Sequence, residues 1–80
     1  MYVVYILKNL NNKIYIGYTT NLDRRIWYHN NGLSIYTNKY KPWKIETYIN
    51  FNNEKLAKNF ERYLKSGSGK AFLRKRLINI

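Results

Sequence analysis

The sequence predicts an α+β fold, in which helices pack on a three-stranded, largely antiparallel sheet in the order ββαβαα. Two short apolar runs, Tyr2–Leu7 and Ile14–Tyr18, are separated by an asparagine-rich turn. Residues 45–51 alternate apolar and polar side chains, as a half-buried strand does. The remaining segments have the caps and apolar spacing of amphipathic helices. We therefore expect one domain over residues 1–80, with its helices on one face of the sheet.

The first two strands are predicted to pair as a hairpin. The first run is apolar, aromatic and β-branched throughout, which is typical of a buried strand. Asn9–Asn12 contains three asparagines and predicts a tight reversal. Side chains alternate along a strand, so Lys13, Tyr15 and Gly17 share one face of the second. This pairing is expected to bring Tyr5 near Tyr15.

The first helix is predicted to begin at a cap within residues 19–21 and to end near Asn30. Gly32, just beyond it, suits a left-handed stop. Residues 33–43 are rich in polar and basic side chains and predict a loop.

One side of this first helix combines apolar and chemically active residues. Leu22 and Ile26 lie four residues apart and define its apolar stripe. At 100° per residue, Arg25 and His29 fall on the same side as that stripe.

A second helix is predicted after Asn52 or Asn53, either of which is a suitable N-cap. Its apolar stripe is predicted to comprise Leu56, Phe60, Tyr63 and Leu64. Residues 66–69 break this helix, and Ser68 is the predicted N-cap of a short basic helix that follows.

The charge of the chain indicates a polyanionic partner. Fifteen lysines and arginines face four acidic residues, which gives a net charge of +11. A membrane-surface role is disfavoured, because no predicted helix joins a wide apolar face to a basic one. The chain has no cysteine and one histidine, which excludes disulfide frameworks and zinc sites built from several such residues. Without a predicted leader or membrane span, a soluble cytoplasmic protein is expected.

Each candidate site residue has a structural and a functional interpretation. Tyr15 and Gly17 are either a core tyrosine and a strand-end glycine, or a place where a ligand approaches the backbone closely. Arg25 either lays its stem along apolar surface or binds phosphate. His29 more often packs or caps than catalyses. Glu61 either forms a helix ion pair with Lys65 or Lys58, or binds a metal.

Four segments together resemble a GIY-YIG nuclease domain. The segments are Val3–Tyr5, Lys13–Thr19, Leu22–Arg25 with His29, and Phe60–Ser66. They are most similar to the small stand-alone branch related to the N-terminal nuclease module of the repair protein UvrC. The resemblance covers essentially the whole chain and implies an α/β sandwich on a three-stranded antiparallel sheet. Val3 stands where the first motif of the family has glycine.

The resemblance implies a catalytic set comprising Tyr5, Tyr15, Arg25, His29 and Glu61. Within this set, Tyr15 corresponds to the tyrosine that acts as general base or positions the nucleophile. Arg25 corresponds to the phosphate-binding arginine, and Glu61 to the ligand of Mg²⁺ or Mn²⁺. Gly17 is the motif glycine.

We therefore expect a divalent-metal-dependent endonuclease, with DNA favoured over RNA as its substrate. Structured or damaged DNA in repair or recombination is one candidate substrate, and the sequence does not distinguish branched from linear DNA. The alternative is a nucleic-acid-binding module that keeps the fold and cleaves slowly or not at all. A monomer is expected, with at most a weak dimer on DNA. The residues expected to contact nucleic acid are Lys13, Gly17, Arg25, Lys39, Lys41, Lys70, Arg74 and Lys75.

Overall fold

A computed structural model describes residues 1–79. Along this range the elements are β1 (Tyr2–Lys8), β2 (Ile14–Thr19), α1 (Leu22–Asn30), α2 (Ile35–Tyr40), β3 (Lys44–Phe51), α3 (Glu54–Leu64) and α4 (Gly67–Arg76). The predicted α+β class is confirmed. The loop predicted for residues 33–43 is wrong in part, because residues 35–40 form α2 and the order becomes ββααβαα.

The sheet has the strand order β2-β1-β3, and both pairs are antiparallel. The predicted hairpin is confirmed, with Tyr5 opposite Gly17 and Leu7 opposite Tyr15. Asn9 stabilises the turn, because its Oδ1 accepts hydrogen bonds from the backbone N–H groups of Asn11 at 3.0 Å and Lys13 at 2.8 Å.

Helices cover both faces of the sheet, so the prediction of a single covered face is wrong. One core comprises Val4, Ile6, Ala57, Leu64 and Leu73, and it joins β1 to α3 and α4. The other comprises Val3, Tyr5, Leu7 and Trp43, with Leu22 and Ile26 of α1 packed against it. Every residue from Val3 to Leu7 is apolar or aromatic, and β1 is the central strand. Both of its faces therefore need cover to remove these side chains from water.

The helix caps agree with the sequence at α1 and α3 but not at α4. Asn21 Oδ1 accepts a hydrogen bond from Arg24 N at 3.1 Å, and Asn53 Oδ1 accepts one from Leu56 N at 3.1 Å. The predicted cap of α4 at Ser68 is wrong, because Ser66 caps the helix and it begins at Gly67.

The apolar stripe of α3 is shifted from its predicted position. Leu64 is buried as expected, but Leu56 and Tyr63 are exposed, and the small side chain of Ala57 occupies the core instead. An alanine at this position lets α3 lie close to the sheet.

Within residues 1–79, none of the helices is long and apolar enough to cross a membrane.

Candidate active site

Gly17 makes room for the phenol of Tyr5. The two residues face each other across the β1–β2 pair, and Tyr5 is fully buried. A Cβ atom at position 17 would overlap Cζ and the hydroxyl oxygen of Tyr5. Glycine is therefore required for the ring of Tyr5 to lie across β2. Gly17 is itself buried, and its predicted contact with nucleic acid stays a prediction.

A buried chain of hydrogen bonds runs from Tyr5 through His29 to α2. The Tyr5 hydroxyl lies 2.8 Å from His29 Nε2, and His29 Nδ1 lies 2.9 Å from the hydroxyl of Thr37. All three side chains are fully buried. The Thr37 carbonyl also accepts a hydrogen bond from Trp43 Nε1 at 2.8 Å. The helix that sequence analysis missed therefore holds the imidazole ring in place.

Burial disfavours the charged forms of both Tyr5 and His29. It raises the pKa of Tyr5 from 10.0 to about 12; Tyr15 adds to this increase, Arg25 opposes it, and Glu61 contributes a smaller increase. Burial also lowers the pKa of His29 below its usual 6.5, and the positive charge of Arg25 lowers it further. A neutral imidazole has one donor and one acceptor nitrogen, and the two hydroxyls that flank it can each take either role.

Tyr15 lies against this chain at its solvent side. Its ring centroid is 4.7 Å from that of His29 and 6.3 Å from that of Tyr5, so the predicted proximity of the two tyrosines is confirmed. Tyr36 of α2 stacks on the other side of Tyr15, with centroids 6.3 Å apart and planes 29° apart. Tyr15 is half-buried, whereas Tyr5 is fully enclosed.

Arg25 presents an unused donor beside this cluster. It is half-buried, and its guanidinium carbon lies 4.7 Å from the centre of the Tyr28 ring. Its Nε atom is buried and has no hydrogen-bond partner among residues 1–79. Buried donors are nearly always paired, so this unpaired guanidinium N–H is an exception within the site. The phosphate-binding role predicted for Arg25 stays a prediction.

The negative charge of Glu61 contributes to the raised pKa of Tyr5. Its carboxylate forms the predicted helix ion pair, with Oε2 3.0 Å from Lys65 Nζ. Two other acids are engaged elsewhere, Glu46 with Lys8 at 3.1 Å and Glu54 with the Tyr18 hydroxyl at 2.8 Å.

In the described part of the chain, no three His, Cys, Asp or Glu side chains lie close enough together to hold a metal ion among them. The metal-ligand role predicted for Glu61 stays a prediction. Mg²⁺ commonly keeps several waters and binds through one or two carboxylates and a substrate phosphate, so a single carboxylate fits such an ion.

The basic residues predicted to bind nucleic acid fall into two groups. Lys13, Lys70 and Arg74 line one groove of about 300 Å³ together with Tyr36. The others lie outside that groove: Lys39 and Lys41 flank the end of α2, and Lys75 is exposed on α4. Thr37 and Tyr36 were not predicted as site residues, because the apolar side chains of their segment do not recur at the spacing of a helix or a strand.

Comparisons with known proteins identify relatives of this chain. The GIY-YIG catalytic domain matches residues 1–76. A UPF0213 protein of Clostridium perfringens is 41% identical over 66 residues, which cover 81% of this chain and 71% of the relative. A UPF0213 protein of Lactococcus lactis subsp. cremoris is 36% identical over 62 residues, and the match spans only 63% of that relative.

A solved structure agrees with the fold. The solution NMR structure of a UPF0213 protein from Bacillus halodurans matches with a TM-score of 0.58 and 33% identity. The match covers 94% of this chain and 84% of that protein. The names of these relatives state no substrate or activity.

Proposed function

The chain belongs to the GIY-YIG family, and we propose that it is an endonuclease that hydrolyses phosphodiester bonds in DNA with the help of Mg²⁺ or Mn²⁺. One observation carries the proposal: Tyr5, Tyr15, Arg25 and His29 converge at one place, where the charge of Glu61 also acts. Strongly perturbed and buried titratable groups of this kind are typical of catalytic sites.

Arg25 is the proposed ligand of the scissile phosphate. Its Nε donor is buried without a protein partner, and a guanidinium can donate two parallel hydrogen bonds to phosphate oxygens. In the transition state more negative charge develops on those oxygens, so the same donors stabilise it more strongly than they stabilise the ground state.

The two tyrosines have different proposed roles. Tyr5 holds its proton at physiological pH, because burial raises its pKa to about 12, and it therefore acts as a neutral hydrogen-bonding group that positions His29. Tyr15 is half-buried, which leaves its hydroxyl accessible to orient the attacking water by a hydrogen bond.

Glu61 is the proposed metal ligand. Its pair with the exposed Lys65 is an ordinary i,i+4 helix pair, which contributes only about 0.2–0.5 kcal/mol and leaves the carboxylate available to a hard cation. When bound, the metal would stabilise the 3′ oxygen that leaves as the phosphodiester bond breaks.

A non-catalytic DNA-binding module is the second candidate. The observation that favours it is the same ion pair: Glu61 already has a cationic partner, and no cluster of three metal ligands occurs in residues 1–79. On this alternative, the net charge of +11 binds the phosphate backbone and Glu61 only stabilises α3.

Metal-dependent nicking of supercoiled plasmid separates the two candidates. Wild-type protein is expected to nick DNA with Mg²⁺ or Mn²⁺ and to stop when the metal is chelated. Glu61→Gln keeps the size of the side chain and removes its charge, so nicking is expected to collapse while DNA binding persists.

Glu54→Gln is the matched control. Glu54 lies on the same helix and also pairs with a lysine at i+4, since its Oε2 is 3.6 Å from Lys58 Nζ. Its substitution removes an i,i+4 ion pair of the same helix, together with the hydrogen bond from the Tyr18 hydroxyl, and nicking is expected to continue because Tyr18 is outside the proposed catalytic set. Normal nicking by Glu61→Gln would remove Glu61 from the metal site, and absence of nicking by wild type with either metal would favour the binding module.

A further inference from the structure

We propose that the groove beside Tyr15 binds an unpaired nucleotide next to the scissile phosphate, so that the preferred DNA is single-stranded at the cut. The inference rests on the proposed nuclease function and specifies its substrate. The groove, which we call the strand groove, has a volume of about 300 Å³ and runs along β2. Its polar and aromatic lining comprises Asn12, Lys13, Tyr36, Lys70 and Arg74, and its aliphatic lining comprises Ile14, Ile16 and Leu73.

The strand groove carries uncompensated positive charge. It has three cationic side chains: Lys13, which directly precedes β2, and Lys70 and Arg74 of α4. None of its lining residues is acidic. None of the three takes part in the ion pairs found within residues 1–79. Three cations in one groove can form ion pairs with successive phosphates of a nucleic acid strand.

Tyr36 gives the strand groove a surface for a base. Tyr36 is 47% exposed, so part of its ring is accessible to a ligand. Tyr15, Tyr40 and Trp43 hold it, with ring centroids at 6.3, 5.0 and 6.4 Å. An exposed ring held in place beside unpaired cations is the usual platform for base stacking on a single strand.

The position of Tyr36 relates this platform to the site of cleavage. The ring of Tyr36 lies beside that of Tyr15, with centroids 6.3 Å apart, and the ring of Tyr15 lies beside that of His29, with centroids 4.7 Å apart. A base stacked on Tyr36 therefore belongs to a nucleotide that flanks the phosphate held at Tyr15 and Arg25.

Stacking on Tyr36 requires an unpaired nucleotide. In a duplex, each base is covered above and below by its neighbours, so a side chain can reach only its edges and the backbone. A single strand, a gap or a flap exposes the face of a base to an aromatic side chain. Duplex DNA would use the cations of the strand groove but not Tyr36.

Binding of matched DNA substrates tests the inference independently of cleavage. A labelled single strand and the duplex of the same sequence are titrated without added metal, using wild type, Tyr36→Ala and Tyr36→Phe. We expect Tyr36→Ala to weaken single-strand binding by about 5- to 150-fold, the range for loss of one base–aromatic stack, and duplex binding by less than about 2-fold. Tyr36→Phe keeps the ring and is expected to bind both DNAs like wild type.

Tyr48→Ala is the matched control, because Tyr48 is 58% exposed on β3, at the opposite edge of the sheet. It is expected to change neither affinity. Equal losses for single strand and duplex with Tyr36→Ala, or no loss for either, would overturn the inference. If wild type cleaves no DNA but Tyr36→Ala selectively loses single-strand binding, the proposed nuclease function is wrong. The proposed binding of an unpaired nucleotide in the strand groove is then still supported.

Discussion

Replacing Gly17 with alanine tests the packing at the centre of the site. The added Cβ would overlap the Tyr5 ring, and Tyr5 cannot move outward because it is fully buried and its hydroxyl is 2.8 Å from His29 Nε2. The ring must shift, which strains the core and breaks the hydrogen bond to His29. Overpacking typically costs 1–3 kcal/mol and an unsatisfied buried polar group another 1–3 kcal/mol, so the loss is about 2–6 kcal/mol.

That loss is a large part of the stability of a small domain, which is on the order of 5–15 kcal/mol. Urea unfolding followed by circular dichroism measures it. Gly67→Ala is the matched control, because no atom lies within 4 Å of the added Cβ at this first position of α4. Gly67→Ala is expected to raise the free energy of unfolding by no more than about 1 kcal/mol, because alanine reduces the conformational freedom of the unfolded chain.

Tyr5→Leu locates the source of the strain. In this background the phenol is gone, so the added cost of Gly17→Ala is expected to shrink strongly, which is the signature of two residues in direct contact. An unchanged urea midpoint for Gly17→Ala in the wild-type background would refute the packing argument. So would a cost that is the same with and without the Tyr5 ring.

Two further predictions concern pH and salt. The pKa of His29 is lowered in the folded protein, so below about pH 6.5 the unfolded chain binds the extra proton and stability falls as the pH drops from 7.5 to 5. His29→Gln is expected to flatten this slope of urea midpoint against pH, and an equal slope in both proteins would contradict the assignment. Because the net charge is +11, the logarithm of the DNA-binding constant is expected to fall linearly with the logarithm of salt concentration, and a flat response in anisotropy titrations would contradict phosphate binding.

Local patterns predicted most of the fold because the residues involved have few alternatives. Asn21 and Asn53 cap the helices that they were predicted to cap. The asparagine turn and strand alternation also set the register that brings Tyr5 to Gly17. Ser66 and Ser68 are two residues apart in a glycine-rich segment, so composition alone could not distinguish the cap of α4.

The short helix α2 was beyond the reach of sequence patterns. Of its six residues only Thr37 is buried, and Ile35, which is 96% exposed, breaks any apolar stripe. The segment forms a helix because tertiary contacts fix it: Thr37 bonds to His29, and Tyr36 packs against Tyr15. The side chains that complete the site from this segment therefore became visible only in the structure.

The sequence contains a signal for cover on the second face of the sheet, although helices were predicted on one face only. A strand in which Val3 through Leu7 are all apolar has no face for water, and this feature indicates cover on both sides. Helical spacing placed Arg25 and His29 on the side of α1 that faces the sheet. The burial of His29 confirms this for the histidine, whereas Arg25 is half-buried.

The central claim is that Arg25 acts on the reacting phosphate, whereas cations such as Lys75 contribute only to the general field. Single-turnover cleavage at saturating protein, together with a binding constant for each variant, tests it most directly. Arg25→Ala is expected to reduce the rate by about 10²–10³-fold, the typical cost of losing a donor to developing charge, with a modest loss of affinity. Lys75→Ala is expected to leave the rate unchanged and to lower the salt slope by about one unit. Equal and small effects of both substitutions on the rate, in folded proteins that cleave, would contradict the account.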